Sequence, residues 1–228
     1  MSERRKTLAR TNDRSQQYDP EPRWPILIAT LAVVALHTAL PDELTIGSRW
    51  LFPAIVLTLL IPSVVAHSAG RHRQNTILSF AVDGVLTLRL ILSLGLLIAA
   101  LPTQKETPQR LLLSAACLWI TNILVFALWY WRTDAGGPHQ RAKRAGHANA
   151  TFLFPQMTMS TEALREAGQQ DWSPKFVDYL FLAFNTNTAL SPTDTPVLAR
   201  WGKALMMSQS LLSLLIIALL AARAVNIL

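Results

Sequence analysis

Apolar residues in this chain gather into six blocks of bilayer length, at 24–40, 50–67, 77–101, 111–131, 174–190 and 204–226. A helix that crosses a hydrocarbon core needs about 17–25 such residues, so each block predicts a transmembrane span. The boundaries have local causes. Pro41-Asp42-Glu43 closes the first block, Arg71-His72-Arg73 follows the second and Pro102 closes the third. Asp134-Ala135-Gly136-Gly137-Pro138 ends the fourth, because glycine and proline stop helices. Six of the seven tryptophans stand at or near block ends, as interface anchors do; Trp119 lies deeper. The first block is expected to be a retained helix, since no small-x-small cleavage site follows it and His37 stands three residues before a cut after Ala39.

The predicted architecture is an all-α, polytopic transmembrane helix bundle of about six spans. A basic segment, 1–23, precedes a single transmembrane domain over 24–228. Residues 132–173 form the long connection between the fourth and fifth spans. In it, 136–150 is basic, and Phe152-Leu153-Phe154-Pro155 is expected against the inner face of the membrane. Ser160 can cap a short helix over 161–167, with Glu162 in its first turn and Gly168 past its end. Ser173 as N-cap and Pro174 at the first helical position restart the chain.

Composition supports the membrane reading. Of 228 residues, 51% are hydrophobic and 15% charged, against about a quarter charged in soluble domains. The single cysteine, Cys117, excludes an intramolecular disulfide and a cysteine-based metal site. Lys and Arg then orient the bundle. Six lie in the N-terminal segment, two between the second and third spans, and six in the 132–173 loop and its edge. The opposite loops hold Arg49, Lys105, Arg110, Arg200 and Lys203, while Arg223 joins the richer side. Both termini and the 132–173 loop are therefore expected to be cytoplasmic. Topology accounts for the net charge of +7, and no nucleic-acid partner is expected.

Polar residues inside the spans are the candidate chemistry. Asp83 and Arg89 are six residues apart, about 240° round a helix, so they do not pair along one face. Together they cost about 5–7 kcal/mol to insert, roughly offset by the Leu, Ile, Val and Phe of the same block. Asp178 is a further intramembrane acid, and Asn122 and Gln209 add amides. Asn185, Thr186, Asn187 and Thr188 point in four directions at about 100° per residue, so no single rotation hides them from lipid. Two readings stay open. Asp83, Arg89, Asn122, Asp178, Asn185, Asn187, Thr188 and Gln209 line a hydrated path, or they are interhelical glue and clamps such as Arg89 with Asp83 or Asp178 from a neighbour. Arg141, Lys143 and Arg144, flanked by His139 and His147, form a basic run suited to lipid headgroups or a partner rather than to a metal. No phosphate loop, nucleophile elbow or zinc spacing occurs, so no catalytic residue or cofactor is expected.

The order of elements after Pro174 is loosely similar to a potassium-channel pore region: a short helix, a Thr-containing turn, Asp194, Pro196 and a last helix. A filter of stacked carbonyls needs glycine, and none lies between Gly168 and Gly202. The charge bias is also read as opposing a re-entrant segment there. A more specific likeness spans about 119–228. Thr121-Asn122, Phe126-Ala127-Leu128-Trp129-Tyr130-Trp131, Gly136-Gly137-Pro138, Phe152-Leu153-Phe154-Pro155-Gln156, Asp178-Tyr179-Leu180, Ser191-Pro192-Thr193-Asp194-Thr195 and Ala222-Arg223-Ala224-Val225-Asn226 carry it. Through these stretches the chain resembles a family of uncharacterised bacterial inner-membrane proteins. That resemblance implies several helices in a bacterial plasma membrane and no particular activity. The functional expectation is a transport-related or channel-like membrane protein with a polar intramembrane path. The alternative is a non-transporting scaffold or accessory subunit that uses its basic loop. Lipid and either a second copy or another membrane protein are the expected partners.

Overall fold

The structure is a computed structural model that describes residues 21–100, 107–143, 149–191 and 194–225. These residues form eight α-helices: α1 Trp24–Thr38, α2 Leu51–Ser68, α3 His72–Ala100, α4 Pro108–Thr133, α5 Pro138–Lys143, α6 Thr161–Glu166, α7 Phe176–Ala189 and α8 Arg200–Val225. Among the described residues there is no strand, only an isolated antiparallel bridge between Phe152 and Val197. Four helices, α2, α3, α4 and α8, are long and apolar enough to cross a membrane, and α1 is a shorter apolar helix.

α4 is the axis of the bundle. Val125, Phe126, Ala127 and Leu128 are consecutive and all buried, so helices surround it on every side, as suits a helix that is apolar all round. The outer helices instead expose apolar side chains. Ile61 and Val65 on α2, Leu88 and Ile91 on α3 and Leu211 and Leu215 on α8 are all exposed. Water would penalise so much contiguous apolar surface, whereas hydrocarbon does not. Thr107 starts α4 by accepting from the Arg110 amide, with Pro108 in the first turn. The helix stops at a turn in which Ala135, Gly136 and Gly137 all have positive φ. A Cβ on Gly137 would lie 2.8 Å from the Arg132 carbonyl oxygen, so only glycine fits.

The bundle has two ends. At the near end α1 begins, α2 finishes, α3 begins and α4 finishes. There Arg23 lies over the Trp131 ring, and Asp83 meets Arg132. At the far end Leu40 and Leu44 pack with Leu94, Leu97 and Leu111.

α7 forms within the block 174–190, and its contacts fix its direction relative to its neighbours. It starts at the near end, where the Tyr179 hydroxyl donates to Asp134 Oδ2 at 2.7 Å. It runs antiparallel to α4, bringing Asn187 to Asn122 at 2.6 Å. Against α8 it runs parallel: Gln209 donates to the Ala183 carbonyl at 2.8 Å and Ser213 to the Asn187 carbonyl at 2.5 Å. Two successive helices can be parallel only if the chain between them returns. It does so, because the Leu153 amide donates to the Pro196 carbonyl and the Leu198 amide to the Thr151 carbonyl, at 2.9 and 2.8 Å. Residue 151 is itself tied to Asp134 at the near end. Fourteen helical residues advance about 21 Å, and a chain of six residue steps, the number from Leu190 to Pro196, can span about 20 Å. Leu190 stops α7 in the left-handed conformation. Pro192 and Pro196 disfavour helix beyond it.

Local expectations also meet the structure. α6 forms behind Ser160, whose hydroxyl accepts from the Ala163 amide at 3.2 Å. α7 begins two residues later than the Ser173-Pro174 signal suggests. Asp178, in its first turn, accepts from the Lys175 amide at 2.7 Å.

Candidate functional site

Three of the expected polar residues converge where α7 ends. Asn122, Asn187 and Gln209 are each fully buried. Asn122 Nδ2 donates to Asn187 Oδ1 at 2.6 Å and to the Gln209 carbonyl at 3.3 Å. Asn187 Nδ2 donates to the Trp119 carbonyl at 3.3 Å. Gln209 takes the Tyr130 hydroxyl on its side-chain oxygen and gives its amide to Ala183. Asn122 Oδ1 is buried and has no hydrogen-bond partner in the described structure. The knot joins α4, α7 and α8 and fixes the buried side of the last turn of α7, while Thr188 and Leu190 at its end are exposed.

The other members of the expected set are placed elsewhere. Asp83 is fully buried and pairs with Arg132 through Nε and through Nη2, the latter at 3.2 Å. Arg89 is not its partner. It donates to His37 Nδ1 at 3.2 Å and to the Leu44 carbonyl at 3.3 Å, holding the turn after α1 onto α3. His37 is buried. Asp178 is the first-turn residue of α7 already described, whose side chain accepts from the Lys175 amide. Asn185 is half-buried, and Thr188 is exposed, bonding back to the Phe184 carbonyl at 2.9 Å.

A second assembly closes the near end. Asp134, fully buried, accepts from the Thr151 amide at 2.6 Å and from Tyr179. Glu21 accepts from Trp131 Nε1 at 2.6 Å and from the Phe176 amide at 2.6 Å. Arg141 was expected to face lipid or a partner. It points inward instead, donating to the carbonyls of Trp131 and Asp134 at 2.6 and 3.0 Å and pairing with Glu21 at 3.3 Å. Its guanidinium also stacks on the rings of Trp131 and Tyr179. The Lys143 side chain, Arg144 and His147 lie outside the described residues. Phe152 and Phe154 are buried, packed edge-on against Tyr179, rather than spread on the membrane face.

Glu21, Asp134, Arg132 and Tyr130 were missed as candidates. The first three stand at block edges, where a charge reads as loop, and Tyr130 reads as an interface aromatic. Burial holds the Glu21 carboxyl above its ordinary range, against the smaller opposing pull of Trp131, Arg141 and the Phe176 amide. Among the described residues no group of three His, Cys, Asp or Glu is disposed to hold a metal.

Comparison with known protein families, with curated proteins and with solved structures finds no match to this chain.

Proposed function

We propose that the chain is an integral membrane protein with five crossings, α1, α2, α3, α4 and α8, and one re-entrant helix, α7. Its role is channel-like, with α7 and the return from 190 to 196 as the permeation element. The parallel run of α7 and α8 carries this reading. Backbone that is not helical is tolerated at membrane depth only when it is covered by protein or lines water. A half-helix that stops inside a bundle also presents the negative end of its dipole there. Channels and transporters place such ends at cation paths. Asn185 and Thr188 stand beside this end. The absence of glycine between Gly168 and Gly202 argues for a path unlike a stacked-carbonyl filter. One α7 lines one side of a path, so the reading calls for more than one copy.

The charge bias, read from the sequence as opposing a re-entrant segment, instead supports the five-crossing arrangement, because the 132–173 loop stays on the near side whether or not α7 crosses. With α7 re-entrant, Arg200 and Lys203 move to the near side. Sixteen of the 21 Lys and Arg then lie on that side, and Arg49, Lys105, Arg110 and Arg223 lie opposite, with Arg89 inside. The near side is therefore cytoplasmic, and the C-terminus is on the other face. The resemblance of 119–228 supports a bacterial plasma membrane as its location.

A non-transporting scaffold is the second reading. It is favoured by Asn122, Asn187 and Gln209 being bonded to one another and buried. Cysteines placed at Thr188, Leu190 and Asp194, in a background where the lone Cys117 is replaced, separate the two in reconstituted vesicles. Permeation predicts cation flux that charged thiol reagents block at these positions. The scaffold reading predicts no flux above empty vesicles.

A further inference from the structure

A cavity of about 400 Å³ opens at the near end, between the start of α3, the exit of α4 and the start of α8. Its walls include Arg23, His72, Asn75, Arg132, His139 and Trp201, and no carboxylate lines it. His72 and His139 stack with ring centroids 3.7 Å apart. Arg132 is committed to Asp83. Arg23 differs. The structure gives it a place over Trp131 and a 2.9 Å contact from Nη1 to the Asn75 amide oxygen, with that amide turned so that its nitrogen faces Ser63. No carboxylate among the described residues pairs with it. Burial, and then the like charges of Arg132 and Arg141, hold its pKa below the ordinary arginine value despite the opposing effect of Glu21. An anion in the cavity would relieve that strain on the charge.

A second, smaller crevice, about 80 Å³, shares Arg23, Asn75 and Arg132 as walls. It continues between α1 and α2 along Ile26, Leu27, Leu60 and Val64. A cationic chamber joined to an apolar furrow has the form of a phospholipid, head and chain. We infer that this end of the bundle binds the phosphate of an anionic phospholipid against Arg23 and His72, with an acyl chain laid in the furrow between α1 and α2. The inference rests on the membrane reading but not on permeation, and its test does not involve flux.

The phosphate could come from a lipid or from solution, and the test has an arm for each. The full chain is purified in detergent and delipidated. Its melting is then followed by tryptophan fluorescence with dioleoylphosphatidylglycerol, dioleoylphosphatidylcholine or inorganic phosphate. The expected result is saturable stabilisation by the glycerol lipid alone. Arg23→Gln is expected to weaken it about tenfold, whereas Arg165→Gln, on exposed α6, leaves it unchanged. His72→Ala tests the same cavity from another wall if Arg23→Gln does not fold, and is expected to weaken binding in the same direction. Equal protection by inorganic phosphate overturns the lipid assignment. Equal protection by the choline lipid, or equal loss in the Arg23 and Arg165 variants, overturns the site.

Discussion

Gln209 on α8 donates its side-chain amide to the backbone carbonyl of Ala183 on α7 across 2.8 Å. Four residues on, Ser213 repeats the contact with Asn187 at the same separation in sequence. Two contacts with one offset fix the direction of α7 relative to α8. Everything proposed about topology descends from that direction.

Replacing Gln209 by Leu removes the bonds to Ala183 and Tyr130 and strands both groups in a dry interior. Interhelical bonds in membranes average about 0.6 kcal/mol and reach ~1.7, so the expected loss is about 1–3 kcal/mol. Thermal unfolding in detergent measures it. A Gln209→Leu variant as stable as wild type would remove the knot from the account.

Gly202 lets α8 start against the strap formed by the paired segments 151–153 and 196–198. A Cβ there would lie 2.4 Å from Thr151 Cγ2 and 3.1 Å from Val197 Cγ1. Gly202→Ala is expected to destabilise by about 1–3 kcal/mol through overpacking. Thr151→Ser removes the offending methyl, so the pair of substitutions should be more stable than Gly202→Ala alone. No such recovery would mean that the strap does not seat α8.

Much of this architecture was legible in the hydropathy pattern. The cores of α1, α2, α3, α4 and α8 lie within the predicted blocks, and α6 follows from its serine cap. α7 was not legible, for a physical reason. An apolar block reports that a segment avoids water, not whether it leaves by the side it entered. The return depends on pairing 151–153 with 196–198, some 45 residues apart, which no local pattern encodes. One signal did exist: a six-span count puts Arg200 and Lys203 on the poorer side, and a re-entrant α7 would return them to the richer one. The polar site was half legible. Asn122, Asn187 and Gln209 were all among the polar candidates, but facing direction is absent from a sequence, so their meeting at one point was not legible. Arg132 on α4 could therefore not be picked out as the partner of Asp83.

The Asp83–Arg132 pair is buried, with side-chain exposures of 0% and 9%. Arg132→Met leaves a carboxylate without its counter-charge and is expected to destabilise by about 3–5 kcal/mol. Adding Asp83→Leu should restore most of that stability, since an apolar pair of similar volume fits the site. Failure of the double variant to recover, in the same melting assay, would show that the pair does more than neutralise itself.

Glu21 makes stability depend on pH. Its carboxyl is held above the ordinary value of 4.5, chiefly by burial. The unfolded chain therefore releases this proton at a lower pH than the folded protein does. As pH rises from 4.5 towards the higher folded value, the Glu21 contribution to stability falls, and above that window it stays at the lower level. Glu21→Gln keeps an acceptor for Trp131 and the Phe176 amide but cannot ionise. Its Tm curve should be flatter than that of wild type across this window. Superimposable curves would contradict the assignment.

The re-entrant course of α7 is tested most directly by locating the two ends of the chain. Reporters that are active on only one side of the membrane, fused after Leu228 and ahead of Met1, read their positions in intact cells. The account predicts a cytoplasmic N-terminus and a C-terminus on the opposite face. Both reporters on the cytoplasmic face would contradict it.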